Sequence, residues 1–150
     1  MILTTPVIES LHREYPGASI TMLVRKGMEG LFAAHPFVSQ LYLWDKSQRK
    51  LKNLYDILKE IQVERYDLVV NVQRFFLTGM LTAFSRARQT SGFNKNPWSL
   101  FFTKRVKHTI RKGRVHEVER NLNLIRHLST KLVTRPRLYP SSKDDAVTSQ

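Results

Sequence analysis

The residues Asp67-Leu68-Val69-Val70-Asn71-Val72-Gln73 decide how this chain folds. Leu68, Val69, Val70 and Val72 put apolar, mostly β-branched side chains on both sides of an extended backbone. That is the pattern of a parallel strand covered on both faces. A parallel strand needs a crossover, and both flanks offer helices. Upstream, Leu51, Leu54, Tyr55, Leu58 and Ile61 form one apolar stripe, with Lys52, Lys59 and Glu60 opposite. Downstream, residues 75–84 read as a largely apolar helix. Farther out the periods keep alternating. A helix opens at Thr5-Pro6, where threonine caps the first amides and proline suits the first turn, and it stops at Pro16-Gly17. Residues 18–24 and 38–44 read as strands. A short helix near residues 28–34 separates them and ends at His35-Pro36. Thr90-Ser91-Gly92-Phe93 reads as a short strand end. Val115, Val118, Leu122, Ile125 and Leu132 define a last helix, with Glu117 and Glu119 in its favourable first turn. This alternation predicts α/β layers around a mostly parallel sheet. After Thr134, Arg135-Pro136-Arg137-Leu138-Tyr139-Pro140 reads as an extended linker, and Ser141 with Asp144 resembles a capping box.

The 150 residues carry 41% hydrophobic and 25% charged side chains, an ordinary globular balance that excludes wholesale disorder. With no cysteine, disulfides, thiolate metal sites and cysteine nucleophiles are excluded. No apolar run approaches the roughly 20 residues of a membrane span. The charge is unevenly placed. Residues 1–73 hold nine Lys/Arg against eight Asp/Glu, whereas residues 74–150 hold sixteen against four. Residues 86–114 hold nine basic side chains and no acidic one. Such a field attracts an anionic partner: nucleic acid, phospholipid, or a phosphorylated or carboxylated substrate. The plainer alternative is a solvated basic surface.

At this point the residues resemble a known family. Ile2-Leu3-Thr4-Thr5-Pro6-Val7-Ile8, Tyr15-Pro16, residues 20–25, Pro36-Phe37-Val38, residues 65–73, Ser91-Gly92-Phe93 and His116-Glu117-Val118-Glu119-Arg120 match glycosyltransferase family 9 in the family's own order. This is the ADP-heptose:lipopolysaccharide heptosyltransferase family. The resemblance implies the N-terminal domain of a GT-B fold, a Rossmann-like parallel sheet with flanking helices. Residues 1–133 correspond to the acceptor-binding domain, and residues 134–150 to the interdomain linker and the start of a donor domain. In the family a Gly-Asp pair precedes the segment matching residues 1–6, and its aspartate is the catalytic base. The resemblance therefore places that base, and the strand before it, ahead of Met1, and implies a late start codon or a truncated gene. In a Rossmann-type order the first strand is central, so its absence leaves neighbouring strands with unpaired ladder groups or forces a repair.

Heptosyl transfer needs a base for the acceptor hydroxyl and cations to steady the departing diphosphate. The resemblance implies no cofactor and no metal. ADP-heptose is the donor substrate, bound by the second domain. No catalytic residue is assigned within the chain; Glu9, one helical turn beyond the absent base, reads as a surface residue. For the acceptor, Thr4 and Thr5 stand at the first helix's N-terminus, an anion site, or serve as plain caps. Gln73 ends the decisive strand at its carboxyl edge, where open α/β sheets bind ligands. Asn71 shares that face and suits a structural hydrogen bond. Lys46, Arg49 and Lys50 follow the second strand. In the family a basic loop here reaches phosphate and Kdo groups, which arginine clamps bidentately. Arg120 and His116 share one helix face, and the family places the matching pair near the acceptor. Lys95, Lys104, Arg105 and Lys107, interleaved with Trp98, Phe101 and Phe102, form an acceptor surface, a lipid-facing patch, or a core edge.

The expected partner is an anionic lipopolysaccharide-core acceptor, with peripheral contact to the inner membrane surface and a cytoplasmic location. Two other readings compete. A basic nucleic-acid-binding module fits the charge and aromatics, but no helix-turn-helix, RNP-like or zinc-finger pattern supports it. A non-catalytic remnant without a stable fold is the other.

Overall fold

The computed structural model describes residues 4–45, 49–73, 75–107, 114–128 and 132, with side chains of the last helix described from residue 117 onward. Helix α1 spans Thr5–Glu14. Proline in its first turn sets the helical φ, and Tyr15 N–H closes it on Leu11 O at 2.8 Å. The N-cap is Thr4, one residue earlier than the sequence indicated, and its side chain makes no capping bond. Strand β1 (Thr21–Arg25) pairs in parallel with β2 (Gln40–Trp44), in register from Thr21 opposite Gln40 to Arg25 opposite Trp44. Between them the expected short helix is a single 3₁₀ turn, Glu29–Leu31. Gly27 and Gly30 bracket Glu29 and disfavour a longer helix.

Helix α2 (Lys50–Glu64) carries the chain to β3 (Leu68–Asn71). Helix α3 (Phe76–Ala83) leads to β4 (Gln89–Phe93). A 3₁₀ turn, Ser99–Phe101, leads to β5 (Lys104–Val106), a strand that the periodicity did not reveal. Helix α4 spans Arg114–Leu122, shorter than the apolar spacing predicted. Residues 123–128 continue as tight turns: Ile125 N–H bonds Leu122 O at 3.0 Å and Leu128 N–H bonds Ile125 O at 2.9 Å. Those turns bury both Leu124 and Ile125. The linker expected from residue 134 lies outside the described residues.

Every strand pairing is parallel, as the alternation of periods requires. The strands form two sheets, β1–β2 and β3–β4–β5. Among the described residues, one edge of β1 and one edge of β3 have no ladder partner. The edge position corrects the reading of β3. Leu68, Val69 and Val70 are half-buried, because a strand bordering its sheet lacks a neighbour's side chains on one side.

Helices join the two sheets. On one side Ile8 of α1 packs with Val24 of β1, while Val7 joins Val118, Leu122 and Ile125, against which Val70 of β3 rests. On the other side Leu54, Ile57 and Ile61 of α2 pack with Tyr42 and Trp44 of β2 and Leu81 of α3. Val24 and Leu23 alternate between these two cores, as a strand period of two demands. Among the described residues, sixteen apolar side chains are buried below a tenth of their free surface, a core of ordinary globular kind.

Candidate functional site

The carboxyl ends of parallel strands are where an open α/β sheet offers ligand-binding groups. Here that edge is formed by Arg25, Trp44, Asn71, Phe93 and Val106. Asn71 carries the most telling chemistry. It is 6% exposed, ends β3, and faces away from Val70. Its Oδ1 accepts the Gln73 backbone N–H at 2.9 Å, the structural hydrogen bond its position predicted. Its Nδ2 is buried and has no hydrogen-bond partner among the described residues. An unpaired buried donor costs roughly 1–3 kcal/mol, so a donor kept in that state at a strand terminus is suited to a ligand acceptor. Gln73, two residues on, is half-buried beside it.

Thr4 is half-buried at the start of α1, and Thr5 is buried. Arg120 lies on α4 with its side chain 18% exposed and its guanidinium 4.0 Å from the Glu117 carboxylate. The Val7, Val118, Leu122 and Ile125 cluster, with Val70 against it, brings α1, β3 and α4 together. Three of the four elements bearing predicted acceptor residues therefore converge. Arg49 belongs elsewhere, to the loop after β2. It is exposed, in a left-handed conformation (φ 45°), with its carbonyl accepting Asn53 N–H at 2.9 Å. Lys46 lies outside the described residues, as does the side chain of His116. Lys50 is exposed, with its ammonium 5.9 Å from the Trp44 ring centre. At the ends of β1 and β2, Lys26 pairs with Asp45 at 3.6 Å.

The Glu9 reading is corrected. Glu9 is 3% exposed rather than at the surface, because residues 5–10 of α1 are buried on every side. Its charge acts on His35, itself 4% exposed, whose Nδ1 accepts Phe37 N–H at 3.2 Å. Burial pulls the His35 imidazole below its ordinary pKa, and Glu9 opposes that pull. No period or motif signalled this pair: an acid on an amphipathic helix is ordinarily solvated.

The aromatics of the basic stretch divide. Phe102 is buried against Gly92, where a Cβ would overlap its ring. Trp98 is half-buried and Phe101 exposed. Lys95, Lys104, Arg105 and Lys107 are all exposed. Among the described residues no three His, Asp or Glu side chains gather as a metal set, and no helix is long and apolar enough to cross a membrane.

No protein-family model matches the chain. In fold it superposes on a glycosyl transferase family 9 structure from Veillonella parvula with a TM-score of 0.74, at 24% identity over 90% of this chain and 39% of the other. Escherichia coli heptosyltransferase WaaC with ADP gives 0.70 at 20% identity, covering 90% of this chain and 45% of that one. In sequence, a lipopolysaccharide heptosyltransferase 3 of Escherichia coli is 31% identical over 137 residues, 85% of this chain and 39% of the relative. The chain is similar in sequence to lipopolysaccharide heptosyltransferases and in fold to glycosyltransferase family 9. A second Escherichia coli protein of that name is 29% identical over 130 residues, 83% of this chain and 38% of the relative. This chain thus spans about two-fifths of the length of the curated relatives it matches. The Rossmann-like parallel architecture of a GT-B lobe follows from both the strand pairings and the superpositions.

Proposed function

We propose that these residues form the acceptor-holding lobe of a heptosyltransferase that moves heptose from ADP-heptose to a lipopolysaccharide-core acceptor. The carrying observation is the buried Asn71 Nδ2, unpaired at the strand edge beside Gln73, in a chain related to lipopolysaccharide heptosyltransferases. The acceptor's phosphate and carboxylate oxygens would take that donor, with Thr4 at the α1 terminus and Arg120 supplying further donor and cationic groups. Arg49, exposed after β2, would meet the outer anionic groups. The Asn71 Oδ1 bond to Gln73 N–H fixes the amide's orientation at the strand end.

Glycosyl transfer without covalent catalysis needs a base at the acceptor hydroxyl and groups that stabilise the leaving diphosphate. The reading assigns neither set to these residues. The reading therefore assigns them acceptor binding without heptosyl transfer of their own, with ADP-heptose held by a second lobe and no metal or cofactor used. It further places the protein in the cytoplasm.

Two measurements test this. Calorimetric titration with a phosphorylated Kdo-containing core oligosaccharide is expected to show saturable binding. Asn71→Leu is expected to weaken it about tenfold, the loss of one hydrogen bond to a charged group. Absent binding, or binding indifferent to Asn71, Gln73 and Arg120 together, overturns the acceptor role. ADP release from ADP-heptose by the purified 150 residues overturns the assignment of binding without transfer.

A further inference from the structure

Strand β2 borders its sheet, pairing with β1 alone among the described residues. Two hydrogen bonds show which way its ladder groups point. Trp44 O accepts the Lys26 N–H at 3.0 Å, so Trp44, and Tyr42 two residues earlier, turn their N–H and C=O toward β1. The alternation turns Asp45 outward, and its N–H bonds Asn53 Oδ1 at 3.0 Å. Leu41 and Leu43 therefore direct two N–H and two C=O groups along the outer edge. Sheets ordinarily blunt such an edge with lysine, proline or a bulge. The last strand of the other sheet, β5, is blunted in this way: it reads Lys104-Arg105-Val106, with both cations exposed. Strand β2 has no such device. It reads Gln-Leu-Tyr-Leu-Trp in unbroken register with β1, and Leu43 is 39% exposed on it.

The flank of this edge specifies the occupant. Gln40, Tyr42, Lys59, Glu60, Val63 and Glu64 line a groove of about 250 Å³ between β2 and α2. That is smaller than the roughly 300–1,000 Å³ of small-molecule sites and suits an inserted side chain. The net charge of +13 opposes self-association over most of the surface. Residues 56–67 are the exception, with Asp56, Glu60, Glu64 and Asp67 against Lys59 and Arg65. We propose that β2 pairs with β2 of a second copy of this chain, antiparallel about a two-fold axis at Tyr42. The two β1–β2 sheets then join as one sheet of four strands. Leu41 of each copy exchanges both ladder bonds with the partner's Leu43, while Tyr42 meets the partner's Tyr42 as the closer, non-hydrogen-bonded pair. The same axis sets the two α2 helices antiparallel on one face of the joined sheet. There Lys59 beside Glu60 and Glu64 gives each copy both signs of charge, so no like-charge array faces itself. This goes beyond the acceptor-lobe reading and does not depend on it.

The experiment is sedimentation equilibrium of the full 150-residue chain from micromolar to hundreds of micromolar concentration. A monomer–dimer equilibrium without larger species is expected, because a two-fold contact closes on itself. Leu43→Pro removes an outward donor without touching the bonds to β1 and is expected to leave the chain monomeric. Leu43→Lys keeps the backbone donor and should have the same effect, so a proline variant that fails to fold leaves the test intact. Glu60→Lys with Glu64→Lys should weaken dimerisation about tenfold, and added salt should restore part of that loss. Hydrogen exchange of the Leu41 and Leu43 amides should slow as chain concentration rises, while that of Tyr42 stays constant. A monomer at every concentration leaves the edge to a foreign strand and overturns the proposal. So does a dimer unaltered in the Leu43 variants, a species that keeps growing beyond two copies, or a dimer that Phe101→Ser dissolves and Leu43→Lys does not. If acceptor titration fails while the dimer holds, the function falls and the interface stands; the reverse result spares the function.

Discussion

The two sheets reach burial by different chemistry. In β1–β2 the strands read Thr-Met-Leu-Val-Arg and Gln-Leu-Tyr-Leu-Trp, and apolar side chains meet α1 on one face and α2 on the other. In β3–β4–β5 the middle strand is Gln-Thr-Ser-Gly-Phe, yet Thr90, Ser91, Gly92 and Phe93 are all buried. There, hydrogen bonds and close backbone approach replace apolar bulk. Ser91 Oγ donates to Leu124 O at 2.6 Å. Thr90 Oγ1 accepts Thr103 N–H at 2.9 Å, and Thr103 Oγ1 accepts Thr90 N–H at 3.1 Å. Gly92 admits the Phe102 ring. A buried strand need not look apolar when its polar groups are satisfied.

The contrast can be broken in order of effect. Leu54→Ala empties the core over β1–β2 and is expected to cost about 3 kcal/mol, read by urea denaturation. Gly92→Val forces a side chain into the space of Phe102 and is expected to cost about 2 kcal/mol. A cost below half that would mean that the second sheet yields where the first does not. Ser91→Ala leaves the Leu124 carbonyl without its hydroxyl and is expected to cost about 1 kcal/mol, whereas an apolar swap such as Leu41→Met in β2 should cost less.

The smallest effect distinguishes the sheets by pH. His35 lies under α1 beside the first sheet's core, and its folded pKa is below the ordinary 6.5. The unfolded chain therefore takes up the proton first. The His35 contribution is present above about pH 6.5 and is lost as pH falls below it toward the folded value. Thermal melts across that window should show a decline that His35→Gln flattens. Glu9→Gln should steepen it, because Glu9 offsets the desolvation of the imidazolium. Ser91→Ala, in the second sheet, should shift the whole curve without changing its slope.

These contrasts also mark where the sequence was readable. Strands β1, β2 and β3 and helices α1, α2 and α3 were visible because apolar residues recur at the period of each element. Strand β5 was not, since Lys104-Arg105-Val106 offers neither alternation nor an apolar run. Helix α4 was overextended because Ile125 and Leu132 keep a helical spacing that the tight turns after Leu122 do not use. Within the site, Gln73 and Asn71 were legible as polar residues closing an apolar strand. The unpaired Nδ2 was not, because what a side-chain donor lacks depends on every neighbour around it. Glu9 was misplaced for the same reason.

The sequence by itself determined the parallel α/β layering, the kinship with heptosyltransferases, and a basic second half without acids across residues 86–114. Those properties are written in period, motif order and charge, each local along the chain. Only the tertiary structure decided that Glu9 lies buried where it acts on His35, and that Phe75, Phe76, Phe84, Leu100 and Phe101 stand exposed near a half-buried Trp98. Each of these depends on which surfaces meet across long sequence separations, and burial is a property of that meeting rather than of any residue alone.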